Sequence, residues 1–176
     1  MSAEQLNKIR ASLLAQVKQI NFGKIGEYIP RKIIPPVYFL TALIIMVCLA
    51  IYAPVSYLIY VPLRIFGGVL VFTGFCISAS GAYTFKLAKT PVKPFEPPVT
   101  LVTTELYRYS RNPMYLGMMI MLTGMWIALG CLSPVIVIPL FFIIIQEGFI
   151  KYEEIFLEKT FGDKYLDYKA SVRRWL

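Results

Sequence analysis

The chain has 176 residues, of which 57% are apolar and 16% charged, and a formal net charge of +8. That balance lies outside the range of ordinary soluble domains and points to a membrane. Apolar stretches occupy so much of the chain that no separate soluble catalytic domain of about 100 residues fits beside them, which excludes large dinucleotide-binding enzymes.

Residues 1–34 carry polar and charged groups throughout and lack the apolar core of a signal peptide. Leu6, Ile9, Leu13, Leu14, Val17 and Ile20 recur at spacings of three and four, which predicts an amphipathic helix. Such a helix either lies on the membrane interface or packs on the C-terminal tail. Apolar spans follow at 37–53, 65–83, 114–129 and 132–150, each near the roughly 20 residues that cross a hydrocarbon core as helix. Pro35 and Pro36 suit the first helix start, and Pro54 its end.

Small residues fall on one face of the second span (Gly67, Gly74, Ser78, Gly81) and of the third (Gly117, Gly124, Ala128, Cys131), which predicts close contact between the two. The alternative is that these stripes face a ligand. The loop over 89–103 contains Pro91, Pro94, Pro97 and Pro98 and reads as extended, helix-free chain. Pro139 is expected to kink the fourth span. In the tail, Tyr165, Tyr168 and Val172 keep helical spacing, and Trp175 beside Arg173 and Arg174 suits a membrane interface. The expected fold is therefore all-α and polytopic: one domain over 1–176, with about four transmembrane helices, an N-terminal interfacial helix and a C-terminal helix.

Six basic residues lie before Pro35, five between Lys86 and Arg111, and six from Lys151 onward, with Arg64 alone elsewhere. The positive-inside rule then places both termini and the central loop in the cytoplasm. The basic segments fit anionic lipid head groups; no basic run is interleaved with exposed aromatics, so no nucleic-acid partner is expected. Cys48, Cys76 and Cys131 form no C-x-x-C pair, and with no histidine in the chain no metal site is expected. The missing histidines also exclude Ser-His and Cys-His nucleophilic catalysis.

The short turn between the third and fourth spans makes them an antiparallel hairpin. Its open end brings residues 107–115 close to residues 147–158. Arg108 and Arg111 are thereby expected to meet Glu147, Glu153 or Glu154. Glu147 and Glu154, seven residues apart, would share a helical face, while Lys151 could neutralise Glu147. These groups either line a polar pocket, as ionisable groups at membrane depth commonly do, or are solvated helix ends whose pairs are worth about 0–1 kcal/mol. The second case describes a membrane scaffold or transporter subunit without catalytic activity.

Three elements in order carry a resemblance: Tyr107-Arg108-Tyr109-Ser110-Arg111-Asn112-Pro113-Met114-Tyr115-Leu116-Gly117, then Glu153-Glu154, then Phe161-Gly162 with Tyr165 and Tyr168. Together they resemble the isoprenylcysteine carboxyl methyltransferases and, more widely, the membrane phospholipid methyltransferases. The resemblance implies an enzyme that uses S-adenosyl-L-methionine to methylate a membrane lipid or lipidated acceptor at the cytoplasmic face. Arg111, Pro113, Tyr115 and Gly117 match the family's R-H-P-x-Y-x-G, with Asn112 at the histidine position, and Glu153 and Glu154 match its acidic pair. The implied cofactor-binding set is Tyr107, Arg108, Arg111, Pro113, Tyr115, Gly117, Glu153 and Glu154, and the implied catalytic set is Arg111, Asn112 and Glu154. A guanidinium, from Arg108 or Arg111, matches the cofactor's carboxylate. The acceptor atom is either a carboxylate oxygen or an amine, and the amine requires a base such as Glu147. Some membrane sterol reductases share a similar C-terminal helical region, but they are longer.

Overall fold

A computed structural model describes residues 34–57, 59–91 and 98–176. The helix expected over 1–34 lies outside these apart from Ile34, as do Lys93, Pro94, Glu96 and Pro97 of the proline loop. Helix α1 (Pro35–Tyr52) starts on the proline pair and stops at Ala53, the residue that Pro54 pushes out of helical geometry. A 3-10 turn, Val61–Leu63, leads into α2 (Arg64–Leu87). After the loop comes a second 3-10 turn, Glu105–Arg108, and then α3 (Pro113–Leu129), again with proline in its first turn.

Helix α3 ends at Gly130, whose φ of 75° is left-handed and natural only for glycine. A side chain there would also strike the Arg64 guanidinium. Cys131 consequently leaves the helix and forms an isolated antiparallel bridge with Tyr57, so it does not extend the small-residue stripe of α3.

The last span runs continuously from Ser133 to Phe161. It comprises a 3-10 turn (Ser133–Ile136), α4 (Val137–Ile145), a π-helical turn (Gln146–Ile150) and α5 (Lys151–Phe161). The break in helical register thus comes at Gln146–Ile150, beyond Pro139. Gly162, with φ 55°, separates α5 from α6 (Asp163–Ser171). Among the described residues, three helical stretches are long and apolar enough to cross a membrane: Pro35–Tyr52, Val61–Leu87 and Ser133–Phe161. Helix α3 is apolar but has 17 residues, about 26 Å at 1.5 Å per residue, slightly short of a hydrocarbon core of about 30 Å.

Two kinds of contact hold the helices together. Met46, Leu122, Phe141, Ile145 and Phe149 form an apolar core between α1, α3 and α4, with the Tyr38 ring edge-on to Phe149. Helix α2 instead meets α3 backbone to backbone through the expected small faces. A Cβ built on Gly67 would lie 2.5 Å from Gly124 O, and one on Gly74 would lie 2.5 Å from Gly117 O. The opposite side of α2 exposes Phe66, Phe72 and Phe75. Apolar rings facing outward are what a helix bordered by lipid presents. The pairing fixes the start of α3, the end of α2, and α5 and α6 at one end of the bundle.

Candidate active site

Arg111 and Asn112 form the turn into α3, and Glu153 and Glu154 lie in the first turn of α5, so the hairpin brings the two clusters together as its connectivity requires. Tyr115, in the first turn of α3, donates its hydroxyl to Glu153 Oε1 at 2.7 Å. Arg111 Nη2 lies 3.1 Å from Glu154 Oε1, and both side chains are only 9% exposed. Low exposure matters here, because a buried ion pair whose partner is removed leaves an uncompensated charge.

The cavity between these groups has a volume of about 80 Å³. Arg111, Tyr107, Tyr115, Glu153, Glu154 and Tyr165 line it, and Pro98, Leu101 and Val102 of the central loop complete one wall. Three buried polar atoms on these residues lack a partner: Arg111 Nε, Arg111 Nη1 and Tyr107 Oη. Burial pushes the Tyr107 hydroxyl well above its ordinary range, so it remains a proton donor. A buried unpaired donor forfeits a hydrogen bond it would make in water, at a cost of about 1–3 kcal/mol. All three belong to residues that line this one hollow.

Not every expected residue faces this hollow. Arg108 is exposed and lines a separate outer groove with Glu105, Tyr83 and Tyr109. Gly117 faces α2, where an added Cβ would strike Ser78 Oγ, and so permits helix contact. Pro113 is buried at the first position of α3. Asn112 lines the cavity, and its amide Nδ2 donates to the carbonyl of Arg174 at 3.0 Å.

Glu147 turns away to pair with Lys151 and does not share the face of Glu154. The π turn is the reason. It places one more residue in a turn than an α-helix does, so everything after it is rotated by about 100° from the uninterrupted register.

Sequence reasoning assigned no site role to Arg174. Its guanidinium grips Glu154 with both prongs, Nε to Oε1 at 2.8 Å and Nη2 to Oε2 at 2.6 Å. That hydrogen bonding raises the Arg174 pKa further above its already high value, so the group is permanently charged. Trp175 is half-buried against the last span: its ring centroid lies 5.2 Å from that of Phe142, and its Nε1 donates to Gln146 Oε1 at 3.1 Å. Only the Arg-Arg-Trp composition marked this tail in the sequence, because it follows the last helix and has no periodicity. Tyr168 ties α6 to the site by donating to the Tyr107 carbonyl at 2.7 Å.

Comparison with known proteins agrees with this geometry. A protein of Haemophilus influenzae described as uncharacterized is 38% identical over 63 residues, which span 36% of this chain and all of that protein. The family model described as phospholipid methyltransferase matches residues 63–164, from the start of α2 into α6, and takes in Arg111, both glutamates and the cavity wall except Tyr165 and Tyr168. With more than half of its length matched and the paired clusters of that stretch enclosing one hollow, this chain belongs to the phospholipid methyltransferase family.

Proposed function

We propose that this chain is an S-adenosyl-L-methionine-dependent methyltransferase acting on an amphiphilic acceptor, with the cofactor's amino-acid end in the cavity beside Arg111. The observation that carries this reading is the set of unpartnered donors, Arg111 Nε and Nη1 with Tyr107 Oη, on residues that line one buried hollow. Nε and Nη1 lie on different edges of the guanidinium, so each offers a single charge-assisted hydrogen bond, and the positive charge suits a carboxylate. At about 80 Å³ the cavity falls well below the roughly 300 Å³ of ordinary ligand pockets. It therefore takes one end of such a cofactor, and the rest requires the wall of Pro98, Leu101 and Val102 to move outward.

When bound, the cofactor supplies an electrophilic sulfonium methyl group. The protein's own task is to hold the partners in line and exclude water. Arg111 binds and orients the carboxylate, Tyr107 donates a further hydrogen bond, and Tyr115 fixes the Glu153 carboxylate within the hollow. Both oxygens of Glu154 are engaged by arginines, which leaves Glu153 as the carboxylate for a cofactor ammonium or hydroxyl. An amine acceptor needs a base, and Glu153 is the group placed for it, since Glu147 is outside the cavity. The acceptor approaches from the bilayer, and the charged cofactor from the aqueous side. The distribution of basic residues supports a cytoplasmic site and cytoplasmic termini, with anionic head groups around it.

Calorimetry on the full chain in detergent tests the reading, with S-adenosyl-L-methionine and a nicotinamide dinucleotide titrated side by side. Binding of the first alone, lost in Arg111→Ala, is the expected result. No binding by the unmodified protein, or undiminished binding in Arg111→Ala, refutes it.

A further inference from the structure

We infer that Arg174, at the end of the chain, is a positioning residue that keeps Arg111 open toward the cavity by occupying Glu154. This rests on the cofactor reading above and extends the site to the C-terminal tail. Arg111 and Glu154 alone would form a neutral pair. A carboxylate facing a single guanidinium favours the two-pronged arrangement, which would draw a second nitrogen of Arg111 out of the hollow. Arg174 already holds that two-pronged position on Glu154, through Nε at 2.8 Å and Nη2 at 2.6 Å. Arg111 is left with a single contact, Nη2 at 3.1 Å, and its Nε and Nη1 stay free.

Charge follows the same logic. Two guanidinium groups share the Glu154 carboxylate, which cannot neutralise both, so Arg111 keeps charge to offer the cavity, where Glu153 is the other carboxylate. Arg174 does not line the cavity and is 31% exposed, so it acts through Glu154 without touching a ligand. The tail is fixed for this purpose at successive residues. Arg111 N donates to the Arg173 carbonyl at 3.0 Å, Asn112 Nδ2 donates to the Arg174 carbonyl at 3.0 Å, and Trp175 Nε1 reaches Gln146. The turn that presents Arg111 therefore also holds the segment that orients it.

The test compares two ligands on the purified full chain: S-adenosylhomocysteine, and its decarboxylated analogue, which keeps the ammonium. Arg174→Gln is expected to weaken the first by about tenfold or more, the loss of one charge-assisted hydrogen bond, and to leave the second within about twofold. Equal weakening of both ligands, or no weakening of the first, overturns the inference. Should Arg174→Gln fold too poorly to assay, Arg174→Lys reads the same ratio, because it keeps the charge without the fork. A smaller loss confined to the carboxylate-bearing ligand supports the relay, and an equal loss of both overturns it. Failure of the unmodified protein to bind either ligand is a distinct result, which removes the cofactor reading itself.

Discussion

Replacing Gly74 with alanine adds one methyl group where α2 and α3 touch. The added carbon would lie 2.5 Å from Gly117 O and 2.8 Å from Met121 N, both backbone atoms that no rotamer change can move. Ordinary contact begins near 3.4 Å, so the helices must separate locally by about 1 Å. A gap of about 0.5–1 Å forfeits a quarter to a half of each dispersion contact along the seam, and overpacking of this kind costs about 1–3 kcal/mol. Gly68 lies six residues earlier on the same helix, and a Cβ there meets nothing within 4 Å. Gly68→Ala should be neutral or stabilising by up to about 1 kcal/mol, because alanine is the better helix former. Thermal unfolding in detergent compares the two variants. Because the seam continues to Gly81, whose neighbourhood includes Met114 and Tyr107 Oη, cofactor affinity should fall along with stability in Gly74→Ala. An unfolding temperature for Gly74→Ala equal to or above that of Gly68→Ala would refute the argument that backbone contact sets the helix spacing.

Two further outcomes follow from the site. Tyr115→Phe removes the donor to Glu153 Oε1, and the loss of a hydrogen bond to a charged acceptor should lower stability by about 1.5–3 kcal/mol; an unchanged unfolding temperature in detergent would show that the bond contributes nothing. Glu147→Gln breaks a pair whose lysine is 45% exposed but whose carboxylate is 11% exposed, so it should cost about 1–3 kcal/mol and, since Glu147 does not line the cavity, leave cofactor affinity and turnover unchanged. A loss of turnover that grows as the pH rises would instead return the role of base to Glu147.

Much of the architecture was legible in the order of residues, since hydropathy and steric size act locally. Continuous apolar runs of span length become helices in a membrane, because a helix satisfies all its backbone hydrogen bonds within one segment. Gly67, Gly74, Gly117 and Gly124 repeat at intervals that keep them on one face, so the contact between α2 and α3 was readable before any coordinates. The short turn at Gly130 likewise forced Arg111 and the glutamates to the same end.

Which arginine meets which carboxylate depended on rotations that the sequence does not display. The π turn at Gln146–Ile150 separated Glu147 from Glu154, although a seven-residue spacing in an unbroken α-helix would have joined them. Arg108 and Arg111 are three residues apart and chemically alike, yet the 3-10 turn exposes one and the start of α3 buries the other. Arg174 was invisible for a different reason: it lies in aperiodic chain beyond the last helix, and only the folding of that tail back onto α3 and α5 brings it to Glu154. Local chemistry thus settled the helices and their seam, whereas the pairing of buried charges, being long-range in sequence and short-range in space, was settled by the packed structure alone.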